Sequence, residues 1–225
     1  LGGVDNLFLV SVPELAFYQE AIAKAHATGR PAPRMVTLTH EGVAHNAALG
    51  NTMVTNQPAA TAVHVDAGTL HQGAAIHAAW RGGYPVLMTA GTGPRAFPGT
   101  MAGARDHQIQ WLQEPRDQAA ILRQYTKMDH RLEHQDNPGF MVSRLLQVAV
   151  SAPAGPVYLS IPRETAMLPV DGVARFPTLD QLGVARPCWP DPEDAREIAR
   201  WLVDADDPVI CTERSGRDPA SIVAL

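Results

Sequence analysis

Glu41 lies in the run Met35-Val36-Thr37-Leu38-Thr39-His40-Glu41-Gly42-Val43-Ala44-His45-Asn46-Ala47. The β-branched, apolar start of this run reads as a buried strand and the remainder as a helix. The carboxylate therefore falls in a strand-to-helix turn, where α/β proteins carry sites. From spacing alone, two readings stay open: a chemically active acid, or a first-turn acid favoured by the helix dipole. The chain also has nine histidines. His40 with His45, and His71 with His77, are close in sequence, but neither pair has the i, i+4 spacing of a two-histidine metal face, so no metal site is expected. Gly91-Thr92-Gly93-Pro94 lacks the Gly-x-Gly-x-x-Gly pattern and is followed by Arg and Phe, which argues against a dinucleotide loop.

The elements that must position these residues alternate. Asn6 to Val10, Met35 to Thr39, Ala60 to Val65, Pro85 to Ala90 and Val157 to Ile161 are short, apolar, strand-like runs. Ser11-Val12-Pro13-Glu14 reads as an N-cap, a first-turn proline and a capping-box acid. Leu15, Tyr18, Ile22 and Ala25 then share one face until Gly29 closes the helix. Asn137-Pro138 starts another helix, with Met141, Leu145, Val148 and Ala149 on its face. A helix is expected over 68–81, where Ala74, Ala75, Ala78 and Ala79 suit either internal packing or a subunit interface. The alternation predicts an α/β fold, a parallel sheet with helices on both faces and ligands at the carboxyl ends of its strands.

Composition narrows the class. With 225 residues, 45% of them hydrophobic, the chain can bury a proper core. The net charge of −5, with 18 Lys and Arg thinly spread among 23 Asp and Glu, offers no basic stripe for nucleic acid and no polybasic membrane patch. No apolar run approaches the roughly 20 residues needed to span a bilayer. Cys188 and Cys211 lie far apart, which argues against a disulfide framework or thiolate zinc site and fits a reducing, cytoplasmic compartment. From Arg163 to Pro192 the pattern dissolves among prolines. The expected organisation is a first domain over 1–165, a linker over 166–190 and the start of a second α/β domain over 191–225. That second part has a helix beginning at Asp191-Pro192-Glu193, with Ile198, Trp201, Leu202 and Ala205 on one face, and a strand from Pro208 to Cys211. Leu1 reads as strand interior and Leu225 falls in mid-domain, so both ends read as those of a fragment.

Four segments carry a resemblance. His40-Glu41-Gly42-Val43-Ala44-His45-Asn46-Ala47 is similar to the His-Glu-x-x-Ala-x-x-Ala-type segment of thiamine-diphosphate-dependent enzymes of the acetolactate synthase-like group. Pro94-Arg95-Ala96-Phe97-Pro98-Gly99-Thr100 resembles that group's Pro-Arg-x-x-x-Gly-Thr loop. Gln113-Glu114 resembles its Gln-Glu pair, and 155–163 the strand closing its first, pyrimidine-binding domain. The resemblance implies that Glu41 exchanges a proton with N1′ of the cofactor's aminopyrimidine. That task suits a carboxylic acid whose pKa is raised by an apolar pocket against the helix dipole. It implies further that the loop from Val65 to His71 flanks the pyrimidine, with Ala67, Gly68 and His71 as cofactor-binding positions. Gly there lets backbone approach a flat ring. Only Gly68 clearly matches the group's loop; His71 stands where Asn is common, either to bond the pyrimidine or to cap the helix. Gln113 is implied as a neutral donor near the thiazolium, or else is an N-terminal helix residue. Leu9-Val10-Ser11-Val12 replaces the Gly-x-Pro-Gly turn of many relatives, a change expected to alter specificity.

The implied activity is attack on a 2-oxo acid such as pyruvate, loss of CO₂ and transfer to an acceptor in a homodimer or homotetramer. Carboligation, simple decarboxylation, oxidation and acyl-CoA lysis share its first half. No Gly-Asp-Gly occurs in the sequence, so the Mg²⁺ that holds the diphosphate through oxygen ligands is expected to bind outside this chain; FAD in a central domain is left open. Two rivals remain, a non-catalytic binding or regulatory module and the pyrimidine-binding subunit of a split decarboxylase.

Overall fold

The computed structural model describes residues 2–134, 136–169, 174–213 and 215–224. The sequence order is β1 (Asn6–Val10), α1 (Ala16–Ala27), β2 (Arg34–Leu38), α2 (Glu41–Thr55), β3 (Ala59–Val63), α3 (Asp66–His71), α4 (Gly73–Gly82), β4 (Val86–Thr92), α5 (Ile109–Leu112), β5 (Asp129–Arg131), α6 (Pro138–Val150), β6 (Val157–Pro162), α7 (Arg163–Met167), α8 (Leu179–Leu182), α9 (Pro192–Asp204) and α10 (Pro219–Ala224). The six strands form one sheet in the order β2-β1-β3-β4-β6-β5, and every pairing is parallel. This is the expected α/β architecture.

Side-chain alternation in the strands builds two apolar layers. Leu7, Leu9, Ala60, Ala62, Leu87, Val157 and Leu159 face one way, toward Ile22 of α1 and Leu145 and Ala149 of α6. Phe8, Ala59, Val63, Met88, Ala90 and Tyr158 face the other, toward Ala44 and Ala48 of α2 and Ile76 and Ala79 of α4. Strands β3, β4 and β6 are wholly buried, as covered parallel strands are. Burying a side chain such as Leu9 or Leu145, neither of which is exposed at all, contributes about 1.5–3 kcal/mol.

Several boundaries depart from expectation. Val12, not Ser11, occupies the N-cap before a 3₁₀ turn at Pro13–Leu15, and no side chain caps it; Ser11 Oγ instead accepts from Gln19 Nε2. Gly29 does close α1, at φ +66°. Asn137 caps α6 through Oδ1, which accepts from the Phe140 N–H. The helix expected over 68–81 is two helices separated at Gln72. Gln72 is fully buried, and its side-chain oxygen is drawn inward to accept from Thr61 Oγ1. In α4, Ala75 and Ala79 are buried and α4 packs on α2, whereas Ala74 and Ala78 face outward. Strand β5 was not expected from sequence: it is three polar residues on the sheet edge, where charge is compatible with exposure.

The chain divides into two compact units, up to Ala185 and from Arg186 on. Within the expected linker, α8 carries a Thr178–Gln181 capping box, and Gln147 Nε2 of α6 donates to the Leu182 carbonyl; residues 170–173 of that stretch, and Leu1, lie outside the described residues. In the second unit Asp191 caps α9, as read from sequence. Pro208–Cys211 is not a strand, since a strand needs a ladder partner to satisfy its backbone groups. Both cysteines are free and exposed. No helix among the described residues is long and apolar enough to cross a membrane.

Candidate active site

The chain runs from β1 out to β2 and then crosses back to β3 on the other side of β1. The carboxyl ends of β1 and β3 therefore flank a topological switch point, the crevice where doubly wound sheets bind ligands. Glu14 follows β1, Glu41 follows β2, His64 to His71 follow β3, and the loop to Gln113 follows β4. All the candidate residues thus share one edge of the sheet.

Glu41 is the first residue of α2, and His40 before it is the N-cap, with Nδ1 accepting from the Gly42 N–H at 3.1 Å. Glu41 is 12% exposed, and its Oε2 lies 2.8 Å from His71 Nδ1. Burial would raise its pKa, but the His71 hydrogen bond, backbone N–H and the charges of His71 and His40 outweigh burial and hold it below the ordinary value. This corrects the expectation of a raised pKa: the pocket alone would act that way, but an imidazole was not anticipated beside the carboxylate. His71 accordingly caps no helix; it engages Glu41. Gly68 makes the approach possible, since a Cβ there would lie 3.3 Å from both Cγ and Oε1 of Glu41 and 3.2 Å from Val63 Cβ. Ala67 sits in the first turn of α3, where its N–H donates to Asp66 Oδ1.

Gln113 does not start a helix; it follows the last residue of α5. Its Nε2 lies 3.1 Å from His64 Nε2, so the amide donates to the imidazole and leaves the His64 proton on Nδ1. That Nδ1 faces Glu14 Oε2 at 3.1 Å. The two lie in close contact without the alignment of a well-directed hydrogen bond. The pairing raises the His64 pKa against desolvation and lowers that of Glu14. Glu14, read from sequence as a capping acid, is thus an electrostatic partner. His64 was missed altogether, although a histidine closing a strand-like run at the sheet edge was the available signal.

Polar braces fix the loop that delivers Gln113. Arg105 is buried, donates through Nε to the Pro94 carbonyl, pairs with Glu114 and lies over the Trp111 ring. Arg163 grips Asp106 through two 2.8 Å bonds. Behind the site, Gln118 Nε2 donates to the Gly91 carbonyl and the Tyr158 hydroxyl, which also bonds Thr69.

Residues 2–121 match the model of the family described as thiamine pyrophosphate enzyme, N-terminal TPP binding domain. The chain belongs to this family. Benzoylformate decarboxylase of Pseudomonas aeruginosa is 27% identical over 178 residues, 79% of this chain and 31% of the relative. Two solved structures share the fold of these thiamine pyrophosphate enzymes. The 4-hydroxybenzoylformate decarboxylase of Rhodococcus jostii RHA1 has a TM-score of 0.67 at 18% identity, over 92% of this chain and 36% of its own. Benzoylformate decarboxylase from Polynucleobacter necessarius has a TM-score of 0.68 at 18% identity, over 92% and 35%. The chain spans about a third of the length of these relatives.

Proposed function

We propose that this chain supplies the pyrimidine-activating half of the active site in a thiamine-diphosphate-dependent enzyme that decarboxylates a 2-oxo acid. The observation that carries this reading is the Glu41 carboxylate, largely buried at the sheet's carboxyl edge, with side-chain-free Gly68 packed against it. A carboxylate beside bare backbone fits the ring nitrogen and flat face of an aminopyrimidine. The cofactor supplies the carbanion chemistry. Glu41 holds or releases a proton at its carboxylate, with Ala67, Gly68 and His71 around it as cofactor-binding positions. His64 holds a second exchangeable proton, oriented by Glu14, and Gln113 offers its amide beside it. Such a pair of separated acid–base groups suits a reaction in which one proton leaves the cofactor and another is returned to product.

The domain assignment that accompanies this proposal is a pyrimidine-binding domain over 1–165, a linker over 166–190 and the beginning of a central domain over 191–225. The diphosphate, Mg²⁺ and any FAD belong to segments other than this one, and the assembly is a homo-oligomer. The decarboxylase relatives favour simple decarboxylation of an aromatic 2-oxo acid over the acetolactate synthase-like carboligation that the motifs suggest. The test is CO₂ release by the full-length enzyme from benzoylformate and from pyruvate, with and without thiamine diphosphate and Mg²⁺. Cofactor-dependent release with aldehyde as co-product is expected. Acetolactate from pyruvate would restore the carboligase reading, and no cofactor-dependent reaction with either acid would overturn the proposal.

A further inference from the structure

We infer that Gln72, braced by Thr61 and His45, is the positioning residue that sets the contact between His71 and Glu41. The inference deepens the proposed cofactor role of Glu41 and rests on that reading for its kinetic consequence. His71 cannot fix its own place. Its side chain is 53% exposed, with the bond to Glu41 and a stack on the His40 ring at 4.8 Å as its contacts. It ends α3, a helix of six residues, too short to hold its shape without tertiary support. Thr69 supplies part of that support, but its hydroxyl meets Tyr158 on β6 and not the helix that carries Glu41.

The next residue makes the missing link. Gln72 is fully buried, as are Thr61 and His45. Its Oε1 accepts from Thr61 Oγ1 at 2.9 Å and lies 3.2 Å from His45 Nδ1. Burial keeps the His45 ring neutral, so a bond to that oxygen places the His45 proton on Nδ1. His45 stands one turn after Glu41 on α2, and residues four apart share a helix face. Two successive rungs therefore join α2 to the end of α3: Glu41 to His71 on the outside, and His45 to Gln72 on the inside. Thr61, on β3, ties the inner rung to the sheet. Because His71 and Gln72 are consecutive, any shift of the inner rung is carried directly into the outer one.

Stability alone does not account for this brace. His45 Nε2 and Gln72 Nε2 are buried with no hydrogen-bond partner among the described residues. A polar cluster satisfied only in part is less stable than apolar side chains of the same shape. What the cluster supplies is direction: its hydrogen bonds fix the orientation of Gln72 as non-directional apolar packing would not.

Thr61 separates positioning from packing. Thr61→Val removes the hydroxyl and keeps the shape, whereas Thr61→Ser keeps the hydroxyl and loses a methyl. In the full-length enzyme with thiamine diphosphate and Mg²⁺, Thr61→Val and Gln72→Met should each lower kcat roughly tenfold, with Thr61→Ser close to the parent. A packing role gives the opposite order at Thr61. In a His71→Asn background Gln72→Met should cost nothing further, since a residue that acts through His71 then has nothing left to position. Crystal structures of the full-length Thr61→Val and Gln72→Met variants should show His71 Nδ1 more than about 3.5 Å from Glu41 Oε2. That readout needs no turnover, so it decides the inference separately from the decarboxylase reading, which fails on the parent enzyme's own assay. A contact kept in either variant, an undiminished loss in the His71→Asn background, or a Thr61→Ser enzyme slower than Thr61→Val would overturn the inference.

Discussion

His71 holds Glu41 through a 2.8 Å contact between Nδ1 and Oε2 that joins residues 30 positions apart. Its chemical consequence is a carboxylate kept ionised further into acid than burial alone would allow. In the proposed proton exchange between Glu41 and the cofactor, loss of the carboxylate form on protonation would then set the acid limit of activity. Replacing His71 by Asn removes the imidazole whose hydrogen bond lowers the Glu41 pKa, lets that pKa rise, and should move the acid limb of kcat to higher pH. A pH–rate profile of the full-length enzyme checks this; an unmoved limb would show that another group sets it.

Glu41→Gln preserves shape but cannot take or deliver a proton. With general acid–base groups worth about 10²- to 10⁴-fold, kcat of the full-length enzyme should fall within or beyond that range while thermal stability stays close to that of the parent. Activity within threefold of the parent would remove Glu41 from the proposed mechanism.

The elements of this site were more legible than their meeting. Apolar runs marked five strands, and the turn bearing Glu41 was readable because β2 and α2 differ sharply in periodicity. What could not be read was which loops face each other. The order β2-β1-β3 brings Glu14 to His64, 50 residues away, and no local pattern encodes that. The same limit explains why Glu14 looked like a capping acid. It also explains why histidine pairs were sought near in sequence, as His40 with His45, when the structure stacks the His40 ring on that of His71. Strand β5 escaped because Asp129-His130-Arg131 is polar and short. The break at Gln72 escaped because it depends on the buried partners Thr61 and His45.

Gly68→Ala tests how tightly Glu41 is positioned. The added Cβ would meet Val63 at 3.2 Å and Glu41 at 3.3 Å. Val63 is fully buried and has little room to yield, so the carboxylate must shift by a few tenths of an ångström. A helix-propensity gain of about 1 kcal/mol offsets the crowding. The melting temperature should therefore change little while activity drops by roughly tenfold, given that a misplacement near 1 Å can cost about 10²-fold. Unchanged activity would mean that the carboxylate position is not set by this contact.

His45 should make the first unit sensitive to acid. It is fully buried on α2, with Nδ1 3.2 Å from Gln72 Oε1. Burial pulls its pKa down to about 4, against the opposing effect of the Gln72 bond. In the unfolded chain it titrates near 6.5. Between those values the unfolded chain binds a proton that the folded one refuses, so stability falls as pH drops from 6.5 toward 4. His64 runs the other way: its raised pKa gives stability that is fully present below its unfolded value and lost as pH rises through the folded one. At pH 5 the His45 contribution amounts to about 2 kcal/mol. Urea unfolding of the parent and of His45→Leu at pH 7 and pH 5 isolates it, because every other group titrates in both proteins. The parent should lose about 2 kcal/mol more than the variant on acidification, and equal losses would show that His45 takes up its proton without unfolding.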